Sequence, residues 1–350
     1  MTAARLDIDL SAIVRNWRTA AAGRRADAVI KADGYGLGAL EVGRALVAAG
    51  CSRLFVAHLS EAVVLRAALP APEIAVLNGL TAGSESAMRA HRLLPVLNDG
   101  DQLHRWTESG GGPALLHIDT GMERLGVAWA DAPAVLASPA IGRASLVGLL
   151  SHLAVADEPN HPLNAVQLAR MREIAAALPG VEASLAASSG CFLGREFGFD
   201  RLRPGAALFG IAPLPGQPNP LAAVVRLQAP VIAVRWVEAG TSVGYGASWV
   251  APRRSRIATL ALGYADGYLR HGSNRGRVWF GDQAAPLVGR VSMDLITIDT
   301  TDLADPPVPG DWAEVIGPHR PVDTVAADLG TIGYEVLTNL GQRFQRRYHS

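Results

Sequence analysis

An α/β architecture, a (β/α)8 barrel of the TIM type followed by a mostly β C-terminal domain, is predicted from three observations. Short apolar runs recur at a regular beat through the first two-thirds of the chain. Helix-like segments lie between them. After about Pro218 the texture changes to β-branched runs between Gly and Pro turns. A length of 350 residues exceeds what one small core needs, and two domains are predicted, at 1–218 and 219–350.

The apolar runs are Asp27–Lys31, Arg53–Ala57, Glu73–Asn78, Leu93–Asn98, Ala114–Asp119, Leu146–His152, Val181–Ala187 and Ala206–Ile211. Their continuous apolar character suits parallel strands covered on both faces. Between them, Leu40–Ala49 reads as a helix with Gly50 as its C-terminal cap. Pro162–Leu178 reads as another, opened by Pro162 and closed near Pro179–Gly180. Eight strands alternating with helices over roughly the length of a barrel, about 250 residues, point to closure. A doubly wound open sheet stays possible, because periodicity does not count closure. In the second domain Val224–Val237, Ile257–Gly263, Arg277–Phe280 and Asp294–Asp299 read as strands, with helices at Val322–Leu329 and Tyr334–Arg343.

Composition narrows the function classes. The 32 basic residues balance 32 acidic ones and form no stripe, which gives a nucleic acid or a membrane surface nothing to bind. Every long apolar stretch is broken by Gly, Pro or charge before it could span a bilayer. The first residues carry no basic-then-apolar signal pattern. Cys51 and Cys191 have no neighbouring cysteine and read as small core residues in a reducing compartment. A cytoplasmic enzyme is expected.

In a barrel the reactive groups sit where strands end at their C-terminal side. Lys31, Asn78, Asn98, Asp119 and His152 each end a predicted strand, which hints at one shared mouth. Lys31 is followed by Ala32-Asp33-Gly34-Tyr35-Gly36-Leu37-Gly38, a loop with three glycines. A lysine at a half-buried strand end loses solvation of its charged form, which favours a nucleophilic amine of the kind a Schiff base requires. The same position suits an ammonium that snorkels to the rim, and the residues alone leave both readings open. The loop itself has neither the GxxxxGK[ST] nor the GxGxxG phosphate pattern.

The segment Val29-Ile30-Lys31-Ala32-Asp33-Gly34-Tyr35-Gly36-Leu37-Gly38 resembles the signature of the alanine racemase family. The likeness runs over nearly the whole chain, in the family's order: Asp119–Gly126 (DTGMERLG), Ser151-His152 with Ala156-Asp157-Glu158, and Arg203–Gly210 (RPGAALFG) in the first part. In the second domain follow Gly244–Ala247 (GYGA), Gly263–Gly267 (GYADG), Gly289–Asp294 (GRVSMD) and Tyr334-Glu335-Val336. Eight ordered blocks in both domains make the resemblance specific.

The resemblance implies an isomerase that interconverts L- and D-alanine with pyridoxal 5'-phosphate, held covalently by Lys31. Two opposed bases are implied, Lys31 on one face of the substrate and Tyr245, from the partner subunit of a homodimer, on the other. A free tyrosine has a pKa of about 10, and His152 and Arg203 are implied as the neighbours that let it act near neutrality. Arg203 matches the arginine at the pyridine nitrogen. A guanidinium there does not hand its proton to the ring, so the carbanion is less stabilised and stray protonation at the cofactor carbon is limited. The implied phosphate contacts are Tyr35, Ser188 and Tyr334 with the backbone N–H groups of Gly205 and Ala206. The substrate carboxylate falls to Arg124 and the backbone amide of Met293. Tyr264 and Tyr334 narrow the passage, which favours a small side chain: alanine first, serine or a broader range as the alternative. A role in supplying D-alanine for peptidoglycan is implied by the resemblance alone.

Three positions depart from the family pattern. His117 stands where a carbamylated lysine commonly orients the arginine matched by Arg124; another acceptor or a bound anion is expected to replace it, with Arg124 still turned toward the pocket. Ser184 and Ala187 stand where His and Asn are usual, just before Ser188, and Glu123 replaces a common glycine. Among rivals, a pyridoxal-phosphate carrier on a similar barrel would lack the second domain. A decarboxylase of the related two-domain fold would place a cysteine in a matching block. A metal-dependent barrel hydrolase would need ligand pairs that the nine histidines do not make.

Overall fold

The computed structural model describes residues 3–350. The chain divides into two compact units. One is Ile13–Ala222; the other is Ala223–Ser350 together with the N-terminal residues up to Ala12.

In the first unit, Ala28–Val29, Arg53–Val56, Glu73–Val76, Leu94–Leu97, Pro113–His117, Ser145–Leu150 and Ala183–Ser184 pair in parallel and in sequence order. Each lies inside a predicted run or within one residue of it. The eighth run does not become a strand. Ala206–Phe209 is a buried 3-10 turn ended by Gly210 at φ 77°, and a short apolar run is equally a strand or a buried turn by periodicity. Closure comes from residues 201–204 just before it. Arg203 N–H donates to the Ala186 carbonyl (2.9 Å), while Asp27 N–H and Val29 N–H donate to the carbonyls of Leu202 (2.8 Å) and Pro204 (2.9 Å). The seam is clamped by a buried ion pair in which Arg201 Nε donates to Asp27 at 2.9 Å. Charge locks the two ends of the barrel sheet where the strands are too short to do so alone.

The interior is packed by successive strands: Val29, Phe55, Ala75, Leu94, Val96, Leu115 and Leu150 form one cluster, as expected of a filled barrel. Helices cross between strands, among them Ala39–Ala48, Leu59–Ala68, Gly100–Glu108 and Pro162–Ala177.

The second unit is mostly antiparallel β, organised on the long strand Val225–Val237. Its first half pairs with Arg5–Asp9 and Trp312–Ile316, its second with Ser255–Leu260. Pro230 sits at the change of partners. It has no N–H for a ladder, which suits a point where the strand swaps neighbours. Residues 3–12, expected in the barrel domain, belong instead to this second unit: Arg5–Asp9 runs parallel to Gln345–His349 in its sheet. Leu6 and Ile8 point inward fully buried while the alternate residues do not, the period-2 pattern of a half-covered strand. Helices at Val322–Leu329 and Gly333–Thr338 complete the unit. Among the described residues no helix is long and apolar enough to cross a membrane.

Candidate active site

Lys31 begins directly after the first barrel strand and is the only lysine among the chain's 32 basic residues. Burial and the charge of Arg124 lower its pKa below the ordinary lysine value, and Glu61 partly opposes them. The next four residues, Ala32 (φ 53°), Asp33 (53°), Gly34 (61°) and Tyr35 (55°), form a left-handed turn. Gly34 N–H donates to the Ile30 carbonyl (2.9 Å) and Gly36 N–H to Ala32 (2.8 Å).

That turn carries Tyr35 inward, its ring tilted against Phe209 at 4.8 Å between centroids. Its hydroxyl lies so close to Gly205 that a Cβ there would stand 2.4 Å from it. On the other side, Ser188 Oγ accepts from the N–H groups of Gly205 (3.0 Å) and Ala207 (3.1 Å). Both lone pairs of the hydroxyl are thereby used, which leaves its proton as what it offers outward. The hydroxyls of Tyr35 and Ser188 therefore stand together as a cup of donors at the start of the 206–209 turn, while the Gly205 N–H, expected at the phosphate, is committed to Ser188. This is a donor set suited to an anionic oxygen cluster.

Arg203 is buried on the closing segment. Nη1 donates to the Ser184 carbonyl (2.7 Å) and hydroxyl (2.5 Å), and Nη2 to the Ser151 carbonyl (2.5 Å). These contacts fix the plane of the guanidinium. Burial outweighs the attraction of Asp27 and pushes its pKa down to about 10, still cationic at neutral pH. Ser184, one of the departures from the family pattern, is thus a fastener for Arg203.

His117 and His152 are held neutral. Burial first, then the charges of Arg203 and Arg124, push His152 down to about 3. The expectation that His152 supplies positive charge to a neighbouring tyrosine is corrected: only Arg203 of that pair is a cation. For His117, burial and the charge of Arg203 outweigh Asp119 and push it to about 4. Its tautomer follows from Asn98, whose Nδ2 donates to the carbonyls of Leu77 and Val96, both at 3.0 Å. Asn98 Oδ1 therefore faces His117 Nδ1 (2.8 Å) as an acceptor. His117 carries its proton on Nδ1 and keeps an open lone pair on Nε2.

Arg124 sits on a loop folded around Asp119, whose carboxylate accepts from the N–H groups of Gly121 (2.8 Å), Met122 (2.7 Å) and Arg124 (3.1 Å). Arg124 is exposed, and its charge acts on Lys31, His117 and His152 alike. Glu123 holds φ 57° there, a left-handed conformation that a glycine would adopt without strain.

The remaining sequence-predicted residues belong to the second unit and share one loop cluster. Tyr245 stands between Gly244 (φ 79°) and Gly246 (φ 68°), in a turn packed on the guanidinium of Arg290. Tyr264 N–H donates to Ser292 (3.1 Å) and Ala265 N–H to Met293 (2.9 Å). Gly263 lets that loop lie on the Met293 backbone, since a Cβ would meet its carbonyl at 2.3 Å. Tyr334 opens the helix Gly333–Thr338, and just beyond that helix Gly341 N–H donates to Asp266 (3.0 Å). Tyr245 is 72% exposed and Met293 55%.

Sequence reasoning missed Glu61, and it named Ser151 and Ser184 without seeing that they hold Arg203. Glu61 stands three residues after His58 at the start of a helix, a capping spacing that was visible; the two serines act through backbone geometry that no motif displays.

The geometry agrees with comparisons to known proteins. Residues 8–213 match the family model of the alanine racemase N-terminal domain, and residues 224–348 that of the C-terminal domain. The alanine racemase of Acidiphilium cryptum (strain JF-5) is 46% identical over 348 residues, covering 97% of both chains. That of Methylobacterium sp. (strain 4-46) is 47% identical, covering 99% of this chain and 97% of the relative. The crystal structure of alanine racemase from Bartonella henselae with covalently bound pyridoxal phosphate superposes with a TM-score of 0.96 at 41% identity over the whole of both chains. With a lysine-ended barrel, a donor cup beside it and both domain models matched, the chain belongs to the alanine racemase family.

Proposed function

We propose that the chain interconverts L- and D-alanine with pyridoxal 5'-phosphate held at Lys31, as a homodimer in which each barrel mouth is completed by Tyr245 and Met293 of the other copy. The observation that carries this is the mouth itself, where the chain's sole lysine stands beside a donor cup and a buried arginine. The residues fit the group. The hydroxyls of Ser188 and Tyr35 suit its phosphate, and Arg203 suits the ring nitrogen; the resemblance adds the Ala206 amide and Tyr334 to the phosphate contacts. Once bound, the cofactor would acidify the substrate's α-proton by delocalising the charge left behind.

Everything else falls to the chain. Lys31, with its lowered pKa, holds or returns a proton at Nζ on one face. Tyr245 Oη serves the opposite face. Arg203, cationic and donor-only, keeps its proton, so negative charge is not drawn far into the ring. Arg124 grips the carboxylate through its planar fork, and the Met293 amide seconds it. His117 takes the place of the carbamylated lysine as a neutral acceptor, offering Nε2 toward the cations around it. Tyr264 and Tyr334 restrict the passage to small side chains. The exposure of Tyr245 and Met293 supports their delivery to a second chain, and the buried, unpaired Cys51 and Cys191 suit the cytoplasm.

The test is incubation with pyridoxal phosphate and L-alanine, following D-alanine by chiral chromatography. Turnover is expected, and serine turnover without alanine turnover would move the assignment to the alternative substrate. For the dimer, K31A and Y245F are mixed after each is shown inactive. Recovery of activity on subunit exchange is expected of shared sites, and no recovery would refute sharing.

A further inference from the structure

The turn after Lys31 costs free energy. Ala32, Asp33 and Tyr35 carry side chains in the left-handed region, at about 1–2 kcal/mol each. Something must hold them. Asp33 Oδ1 accepts from Ala39 N–H at 2.9 Å on the far side of the turn. On the near side stands Glu61, in the first turn of the helix Leu59–Ala68. Its Oε1 accepts from Ala32 N–H at 2.6 Å, and its Oε2 from Ala57 N–H (2.8 Å) and His58 N–H (2.9 Å). One carboxylate thus ties the peptide that follows Lys31 to the end of the neighbouring barrel strand, with three charge-assisted hydrogen bonds. The same turn sets Tyr35 against Phe209 and beside Gly205, so the amine and one wall of the donor cup share a single anchor.

We propose that Glu61 is a positioning residue for Lys31: by pinning the left-handed turn to the strand end it fixes where the amine stands relative to the Tyr35–Ser188–Gly205 cup. It touches neither substrate nor cofactor and acts through Lys31. Its negative charge opposes the burial and the Arg124 charge that lower the Lys31 pKa, so its removal has a sign. The groups acting on that amine are Arg124 and Glu61, with His152 also coupled to it and held neutral. The proposal rests on Lys31 being the reactive amine of the proposed function.

The sole lysine makes the test clean. The full-length chain, free of cofactor, is treated with trinitrobenzenesulfonate across pH 6–10, and modification of the Lys31 peptide is followed by mass spectrometry in the wild type and in Glu61→Gln. The variant's midpoint is expected at lower pH, with an altered plateau rate and an unchanged far-ultraviolet circular dichroism spectrum. Coincident curves would overturn the proposal. Should Glu61→Gln fail to fold, hydrogen exchange of the wild type decides: slow exchange at Ala32 supports the anchor, and exchange at the rate of an unstructured amide refutes it. In parallel, pyridoxal phosphate and borohydride are added to the wild type. No label at Lys31 would sink the cofactor reading while the trinitrophenylation curves still judge Glu61.

Discussion

The barrel mouth and the loop cluster of the second unit hold the proposed site residues in opposite ways. At the mouth every group is fastened: Arg203 by Ser184 and Ser151, His117 by Asn98, the Arg124 loop by Asp119. In the loop cluster the backbone is fixed just as firmly, by glycines packed on Arg290 and on the Met293 carbonyl, but the side chains of Tyr245 and Met293 project into solvent. One region is preorganised around an interior; the other presents rigidly mounted groups outward. Rigid backbone under exposed side chains is what an interface contribution requires, since ordering it on association then costs little entropy.

The largest effect expected from breaking this arrangement is at Lys31. Lys31→Ala should lower racemisation by a factor on the order of 10³ or more, with no label retained after borohydride; appreciable residual turnover would show that another group does its work. Tyr245→Phe comes next. It removes one proton-transferring oxygen from the exposed half, and a loss of about 10² or more in kcat is expected, with equal loss in both directions. A variant as fast as the wild type would remove Tyr245 from the mechanism.

The fastened half also predicts its own weakness in acid. His117 and His152 titrate near 6.5 in the unfolded chain but stay neutral in the fold down to about 4 and about 3. Their folded pKa values are depressed, so the unfolded state binds more protons in this window and stability falls as pH drops below 6.5. The two together should cost roughly 5 kcal/mol by pH 4.5, at about 1.4 kcal/mol per pH unit for each group. Urea unfolding at pH 7 and at pH 4.5 measures this, with the double variant His117→Gln/His152→Gln expected to flatten the profile. A wild-type profile already flat would contradict the neutral assignment.

Smaller still is the Arg124 loop. Glu123→Gly relieves a left-handed residue at the cost of a more flexible unfolded chain, for a net gain of about 0.5 kcal/mol, readable as a rise in Tm. A fall in Tm would mean that the Glu123 side chain contributes contacts that outweigh its strain.

Much of this was legible in the sequence, for identifiable reasons. Parallel strands covered on both faces announce themselves as apolar runs, and seven of the eight were placed within a few residues. The closing strand was not, because Arg201–Pro204 is held by ions and carbonyls that leave no hydrophobic trace, whereas the buried Ala206–Phe209 turn looks like a strand. Arg5–Asp9 did show its alternation, but sequence order says nothing about which sheet a first strand joins. At the site, strand-end position singled out Lys31 without deciding its role, and the resemblance supplied that role together with Ser188 and Arg203. What no pattern could give was protonation: His152 reads as a cationic neighbour until its burial beside arginines is known. Glu61 was hidden because a carboxylate three residues into a helix reads as a cap, and its second tie, to Ala32, exists only in three dimensions.

The chain meets every other need for positive charge with arginine. It therefore holds one side-chain primary amine, and that amine stands at the mouth of the barrel. Expression on isotope-enriched lysine would yield a protein with a single labelled side-chain nitrogen, whose resonance reports the protonation, occupancy and partner contacts of the site without assignment or background. A histidine in place of the family's second lysine is what leaves that signal alone.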